Sequence, residues 1–256
     1  MTKDWLAHPL MRNLPLDSEV YFDAQLEVLR RKSFLKKVYQ DLYIEMTSWL
    51  PQVDGFIFEL GSGAGFIEKI LPKVIKTDVI FHSGLHIIMD AICPPLMDSS
   101  ISALLFLDVF HHIPDADRFL QQANRVLKVG GRIIMVEPWV SDWSKKVYPL
   151  LHREPLDYQA QEWRFASSGA VSSANQALPW MVFQRDRSLF ERKFPQFHLM
   201  KIQPMLPFRY LLSGGFSSRF GFPSFLYSTV KAFENLFEKH INDWAMFALI
   251  VLEKVR

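Results

Sequence analysis

Phe56-Ile57-Phe58-Glu59-Leu60-Gly61-Ser62-Gly63-Ala64-Gly65-Phe66 is the stretch that decides how the rest of the chain is read. An apolar run ending in an acid reads as a buried strand. The glycines at 61, 63 and 65 make a tight turn, and Phe66-Ile67-Glu68-Lys69-Ile70-Leu71 predicts a helix after it. Strand, glycine turn and helix together open a ligand site at the carboxyl end of the first strand of an open α/β sheet. Glycine permits positive φ and lets a ligand approach the backbone closely. A helix N-terminus would add unpaired N–H groups.

Working outward, Lys73–Val79 reads as a second strand ending near Asp78, and His86–Ala91 as a short third strand. An acid this far past the glycine turn is where a nucleotide fold places a carboxylate for ribose hydroxyls, because one carboxylate accepts two hydrogen bonds. Ile101–Ile113 reads as a fourth strand running into a loop at His111-His112. Asp115–Lys128 predicts an amphipathic helix with Phe119, Leu120, Ala123, Val126 and Leu127 inward, stopped by Val129-Gly130-Gly131. Arg132–Trp139 is continuously apolar at its centre, as a buried parallel strand should be. Phe197–Pro204 and Trp244–Leu252 predict strands six and seven. Upstream, Asp17–Trp49 predicts helix. Leu35, Val38, Tyr39, Leu42, Met46 and Trp49 fall on one stripe, Asp17-Ser18 offers a cap and Pro51 a stop. Arg30, Arg31, Lys32, Lys36 and Lys37 read as a solvated face, with an anionic contact as the alternative.

The turn is G-x-G-x-G with Glu two residues before it. It is not the G-x-G-x-x-G of dinucleotide sites, because position 66 is Phe. Over roughly residues 55–140 this order of strands, acids, Asp90-Ala91, the His-His pair and Gly-Gly resembles the class I S-adenosylmethionine-dependent methyltransferases, in the branch that methylates small molecules and lipids. The resemblance implies an α/β fold: a seven-stranded, doubly wound, mostly parallel Rossmann-like sheet whose last two strands form an antiparallel pair at its edge. It implies S-adenosyl-L-methionine as cofactor, held by Glu59, Gly61, Ser62, Gly63, Gly65, Asp78, Asp90, Ala91 and Asp108. Asp90-Ala91 would meet the adenine, and Cys93-Pro94-Pro95-Leu96 would close over the base, although the family more often has a Leu-Pro-Phe type sequence there. Residues 1–50 would be a helical cover. Residues 51–256 would be the methyltransferase domain, with cap insertions at about 140–195 and 205–243.

Methyl transfer from a sulfonium is an in-line displacement on an electrophile already activated by its charge. Alignment therefore does most of the work, and no catalytic triad is needed. If the acceptor is a hydroxyl, His111, His112 and His152 are the candidate bases; the alternative is that the histidines order their own loop. Glu137 either faces the acceptor or caps the next segment. Arg185-Asp186-Arg187 either holds an anionic acceptor or forms surface ion pairs. No metal site is expected: the histidines lack ligand spacing, and adjacent side chains on extended backbone point opposite ways.

The 256 residues are 49% hydrophobic and 22% charged, enough for a large core, and a net charge of +2 is too mild to imply a nucleic-acid partner. The single cysteine, Cys93, excludes an internal disulfide and reads as a packing residue in a reducing compartment. No apolar run approaches the ~18–20 residues of a membrane span, so the expectation is a cytoplasmic protein. The aromatics of residues 205–243 read as a helical cover. The alternative is a greasy cap that meets a hydrophobic substrate or touches a membrane surface. The expected function is methylation of a small, hydrophobic or lipid-like acceptor, with O-, N- and C-methylation all open. Two rivals are a non-catalytic cofactor-binding or scaffold protein and a nicotinamide-dependent oxidoreductase, the latter disfavoured by Phe66.

Overall fold

Strands β1 (Phe56–Leu60), β2 (Ile75–Asp78), β3 (Ile87–Ile88), β4 (Ile101–Leu107), β5 (Leu127–Pro138), β6 (Phe197–Met205) and β7 (Phe247–Lys254) form one sheet. Their order is β3-β2-β1-β4-β5-β7-β6 in the computed structural model, which describes residues 6–151 and 154–256. β1 to β5 run parallel, while β7 lies antiparallel between β5 and β6. This is the seven-stranded arrangement expected from the sequence.

The period of two along each strand divides the core into two layers. Leu104, Phe106, Ile133, Met135, Ile250 and Leu252 face one side. There they pack on α3 (Ala116–Val126) and on the run formed by α5 (Leu178–Trp180), a π-helical turn (Met181–Arg185) and α6 (Arg187–Lys193). Leu105, Ile134, Val136, Leu249 and Val251 face the other side. That face is covered by α2 (Ser33–Thr47), whose Leu35, Val38, Leu42 and Met46 form the apolar stripe expected of it. α4 (Ser144–Leu151), α7 (Arg209–Ser213), α8 (Tyr227–Glu234) and α9 (Ile241–Trp244) lie in the two insertions.

Four expectations are corrected. Asp17–Trp49 is two helices, α1 (Glu19–Arg31) and α2, broken at Lys32; Ser18 caps the first by accepting from the Tyr21 amide. Phe66–Leu71 forms only a single 3-10 turn, Ile67–Lys69. Val129-Gly130-Gly131 does not end a helix: β5 already begins at Leu127, and the glycines fill a bulge between the Leu127–Ile101 and Arg132–Ala103 pairs. Trp244 belongs to α9, not to β7. With no helix between β1 and β2 or between β2 and β3, α2 supplies the cover on that face.

Lys32 is not part of a solvated face. Its ammonium donates to the carbonyls of Ser213 (3.0 Å), Gly215 (2.8 Å) and Phe220 (3.1 Å), and Lys37 donates to Ser224 (3.0 Å). These bonds tie the second insertion to the helical cover. The turn they clasp holds Gly214 and Gly215 at φ of 69° and 51°. Lys32→Met leaves three carbonyls without that donor. It is expected to lower unfolding free energy by about 2 kcal/mol in denaturant titration and to expose residues 213–220 to limited proteolysis first.

Candidate functional site

The glycine turn lies at the carboxyl end of β1. Gly61 and Gly63 have φ of 62° and 43°, and a Cβ at Gly61 would stand 2.6 Å from the Val109 side chain. Gly65 is glycine for a different reason: a methyl group there would overlap the hydroxyl of Tyr43 on α2. That hydroxyl bonds Glu59, and burial pushes the Glu59 carboxyl up to about 7. Glu59 Oε2 is buried without a partner at the cavity wall. Three of the turn's own amides are engaged internally. Ser62 N donates to Thr77 O (2.9 Å), Gly65 N to Ser62 O (2.8 Å) and Gly63 N to Asp78 Oδ2 (3.1 Å). These three are therefore taken from any phosphate, and only a 3-10 turn, not an α-helix N-terminus, stands behind them.

Above the turn is a cavity of about 630 Å³, within the range of small-molecule sites. Glu59, Gly61, Ser62, Gly63, Gly65, Asp78, Asp90, Ala91 and Asp108 all line it, so every residue assigned to the cofactor reaches one space. Asp78 is buried; Oδ2 takes the Gly63 amide and Oδ1 the Ile80 amide (3.2 Å), leaving each oxygen a further lone pair. Asp90 is exposed at the rim, its Oδ1 accepting from Ile92 N (2.9 Å). Ser62 Oγ accepts from Thr77 N (3.1 Å) and so shapes the turn. The residues fit an adenosyl sulfonium: a buried, unpartnered carboxylate oxygen, a turn free of side-chain bulk, and two acids farther along the wall.

At the next strand end, Asp108 has φ of 64° and a 3-10 turn, Phe110–His112, follows. Glu137, fully buried at the end of β5, organises this turn. Its Oε1 accepts from the amides of Val109 and Phe110 (both 2.8 Å), and its Oε2 pairs with His111 Nδ1 at 2.8 Å. Glu137 therefore caps and does not face the acceptor. His111 is buried. Although desolvation opposes its charge, bonds to Glu137 and Glu154 and the nearby Asp108 hold its pKa well above the usual value. His112 goes the other way, down to about 4, through desolvation and the His111 charge. Asp108 is pushed up to about 7 by desolvation, with Glu137 and Glu154 adding to the rise and His111 opposing it.

The reading of the histidine pair as pointing apart fails because the backbone there is a tight turn, not a strand. The two rings lie 4.2 Å apart, and ligand atoms of His111, His112 and Glu154 all fall within 4.8 Å of one another. Of the three histidines named from sequence, His112 lines the cavity, His111 sits behind it, and His152 lies outside the described residues. Glu154 was missed, since an acid in a long irregular insertion carries no periodic signal. Tyr43 was missed as well, although it continues the α2 stripe one turn beyond Tyr39.

Three stretches roof the cavity. Residues 6–8 pair with the second insertion, His8 N donating to Ser217 O (2.7 Å) and Arg219 N to Leu6 O (2.8 Å). Asp17 Oδ1 accepts from the Val171 amide (2.6 Å), anchoring the first insertion over α1. His112 Nδ1 bonds Ser173 O at 3.0 Å. Arg185-Asp186 is an internal staple: Arg185 pairs with Asp186 at 2.7 Å and donates to the Tyr158 and Ala160 carbonyls. Cys93 is exposed, not packed.

Residues 58–135 match a family model described as a methyltransferase domain. No curated protein matches the chain by sequence. Among solved structures, geranyl diphosphate C-methyltransferase from Streptomyces coelicolor, crystallised with S-adenosyl-L-homocysteine, is 13% identical. It superposes with a TM-score of 0.51 over 98% of this chain and 90% of its own. A chain from the complex between the Haloferax volcanii Trm112 methyltransferase activator and a candidate methyltransferase is 14% identical, with a TM-score of 0.51 over 92% of this chain and 98% of that one. At these identities the likeness is one of fold.

Two outcomes are expected of the turn. Gly65→Ala should lose at least tenfold in cofactor affinity by calorimetry, and adding Tyr43→Phe, which removes the colliding hydroxyl, should restore part of it. Between pH 4.5 and about 7 the folded chain keeps the Glu59 proton that the unfolded chain has released. This contribution to stability is present in full below pH 4.5 and lost as pH rises through about 7. Thermal melts across that window should therefore fall more steeply for the parent than for Glu59→Gln.

Proposed function

We propose that this chain, whose residues 58–135 match a methyltransferase-domain model, is a class I S-adenosylmethionine-dependent enzyme that methylates a small, hydrophobic or lipid-like acceptor. The observation that carries the reading is the continuity of one cavity from the glycine turn to the aromatic underside of the insertions. Asp78, Asp90 and Glu59 line it together with Tyr39, Tyr210, Leu211 and Phe216. When bound, S-adenosylmethionine supplies an electrophilic methyl group. In this reading Asp78 accepts from the ribose hydroxyls, and Asp90 with the Ala91 amide meets the adenine edge. The unpartnered Glu59 oxygen and Asp108 face the cationic end. The aromatic roof excludes water and orients an apolar acceptor, which is the alignment that an in-line displacement requires. Asp108, His112 and Glu154 supply the polar groups at the acceptor end.

The second insertion also supports contact with a membrane surface. Among the described residues no helix is long and apolar enough to cross a bilayer. Yet Phe225 and Leu236 are 77% and 74% exposed, and Phe220, Phe222 and Phe233 are exposed with them. Lys231 and Lys239 lie on the same insertion and are exposed too. Aromatic and aliphatic side chains interleaved with lysine suit the boundary between headgroups and acyl chains, where a lipid-like acceptor is found.

Calorimetry with S-adenosyl-L-homocysteine tests the first reading. The parent should bind, and Asp78→Ala should weaken binding about 100-fold, equivalent to about 2.7 kcal/mol; a parent that binds nothing is a scaffold. Co-sedimentation with anionic liposomes tests the second. Phe225→Ser with Leu236→Ser should cut the bound fraction several-fold without altering cofactor affinity, whereas a parent that stays in the supernatant removes membrane contact.

A further inference from the structure

We propose that His111, His112 and Glu154, with Asp108 beside them, form a site for a divalent transition-metal ion of the zinc or iron(II) type at the acceptor end of the cavity. His111 Nε2 lies 3.4 Å from Glu154 Oε2 and 3.9 Å from Asp108 Oδ1, and His112 Nε2 lies 3.8 Å from Glu154 Oε1. A four-coordinate ion with bonds of about 2.0–2.1 Å holds its ligand atoms about 3.3 Å apart, so the group needs only a small contraction to enclose one. Among the described residues it is the grouping of histidine and acid side chains with this convergence.

The outer contacts are those that metal-binding histidines use. His111 turns Nδ1 to the Glu137 carboxylate at 2.8 Å, and His112 turns Nδ1 to the Ser173 carbonyl at 3.0 Å. Each bond fixes the ring with its N–H on Nδ1 and turns Nε2 inward; His111 Nε2, which faces Glu154 at 3.4 Å, would give up its proton as an ion enters. Gln176 Nε2 donates to Glu154 Oε2 at 3.0 Å and steadies the third ligand. An ion pair alone accounts for His111 beside Glu137. Pairing with Glu154 accounts for that acid as well, but not for His112 turning its own Nε2 to within 3.8 Å of the same carboxylate.

Two imidazoles with carboxylate oxygens favour zinc, iron(II) or cobalt(II) over magnesium, which prefers an all-oxygen shell. His112, Glu154 and Asp108 line the cavity, so an ion here keeps an open side toward the acceptor. This use of the ion rests on the methyltransferase reading, whereas the binding of the ion does not. The open side selects an acceptor with a hydroxyl or carboxylate oxygen on an otherwise apolar body.

The full chain, stripped with a chelator, is titrated with Co2+ and followed by visible absorption. Metal content of the protein as purified is measured in parallel. One equivalent should bind with the visible bands of a four- or five-coordinate site, and Zn2+ should displace it. His112→Ala and Glu154→Gln should each weaken binding at least 100-fold, while exposed His240→Ala should not change it; circular dichroism melts report whether each variant is folded. The proposal is overturned if the parent takes up no Co2+, if only Mg2+ binds, or if folded His112→Ala and Glu154→Gln bind as the parent does. Calorimetry of S-adenosyl-L-homocysteine on the stripped protein separates the two readings. Cofactor binding without metal uptake defeats the metal site alone; metal uptake without cofactor binding defeats the methyltransferase reading alone.

Discussion

A single carboxylate with no access to water holds the centre of this molecule together. Glu137 joins the end of β5 to the turn after β4 through three backbone amides and one imidazole. A polar group without solvent is tolerated only when its lone pairs are filled, and here the fillers are the residues that must be positioned. Asp108 is forced into positive φ, His111 is locked behind the cavity wall, and His112 is presented to the cavity. Removing the carboxylate would leave the turn amides without acceptors and release the histidine side of the cavity wall.

A second constraint joins the helical cover to the glycine turn. Tyr43 reaches from α2 to Glu59 across the space that a side chain at 65 would fill. The cover is thus built into the cavity wall at the glycine turn, and α2 and the turn cannot vary independently. On that face α2 also does the packing that crossover helices would otherwise do, because the links between β1, β2 and β3 hold only a 3-10 turn and loops.

The sheet was legible because its strands are continuously apolar or end in acids, and because the glycine turn fixes where the first one stops. That the residues assigned to the cofactor share one cavity was legible for the same reason: each lies at or just past a strand end, where the period of the sheet delivers it. The failures are equally physical. Phe66–Leu71 has helical composition but too little chain before β2 to complete more than one turn. Gly130-Gly131 resembles a helix stop, but it serves a strand bulge, since both roles ask for a residue without Cβ. Lys32 looks solvated because nothing local shows that three carbonyls from a segment far along the chain will surround it. Glu154 is invisible for the same reason, its partners being set by how the first insertion folds back onto β4.

The missing crossover helices have a consequence for how ligands come and go. The β2–β3 edge is two residues of pairing backed by loops, with Val79, Phe81 and Ile88 facing water, whereas the opposite end of the cavity is sealed by chain drawn from three distant segments. Local opening costs least where buried contacts are fewest, so the wall beside β3 is the loosest of the chamber. If the nucleoside lies there, as proposed, it would enter past that edge while the insertions stay shut, and the two reactants would have separate doors.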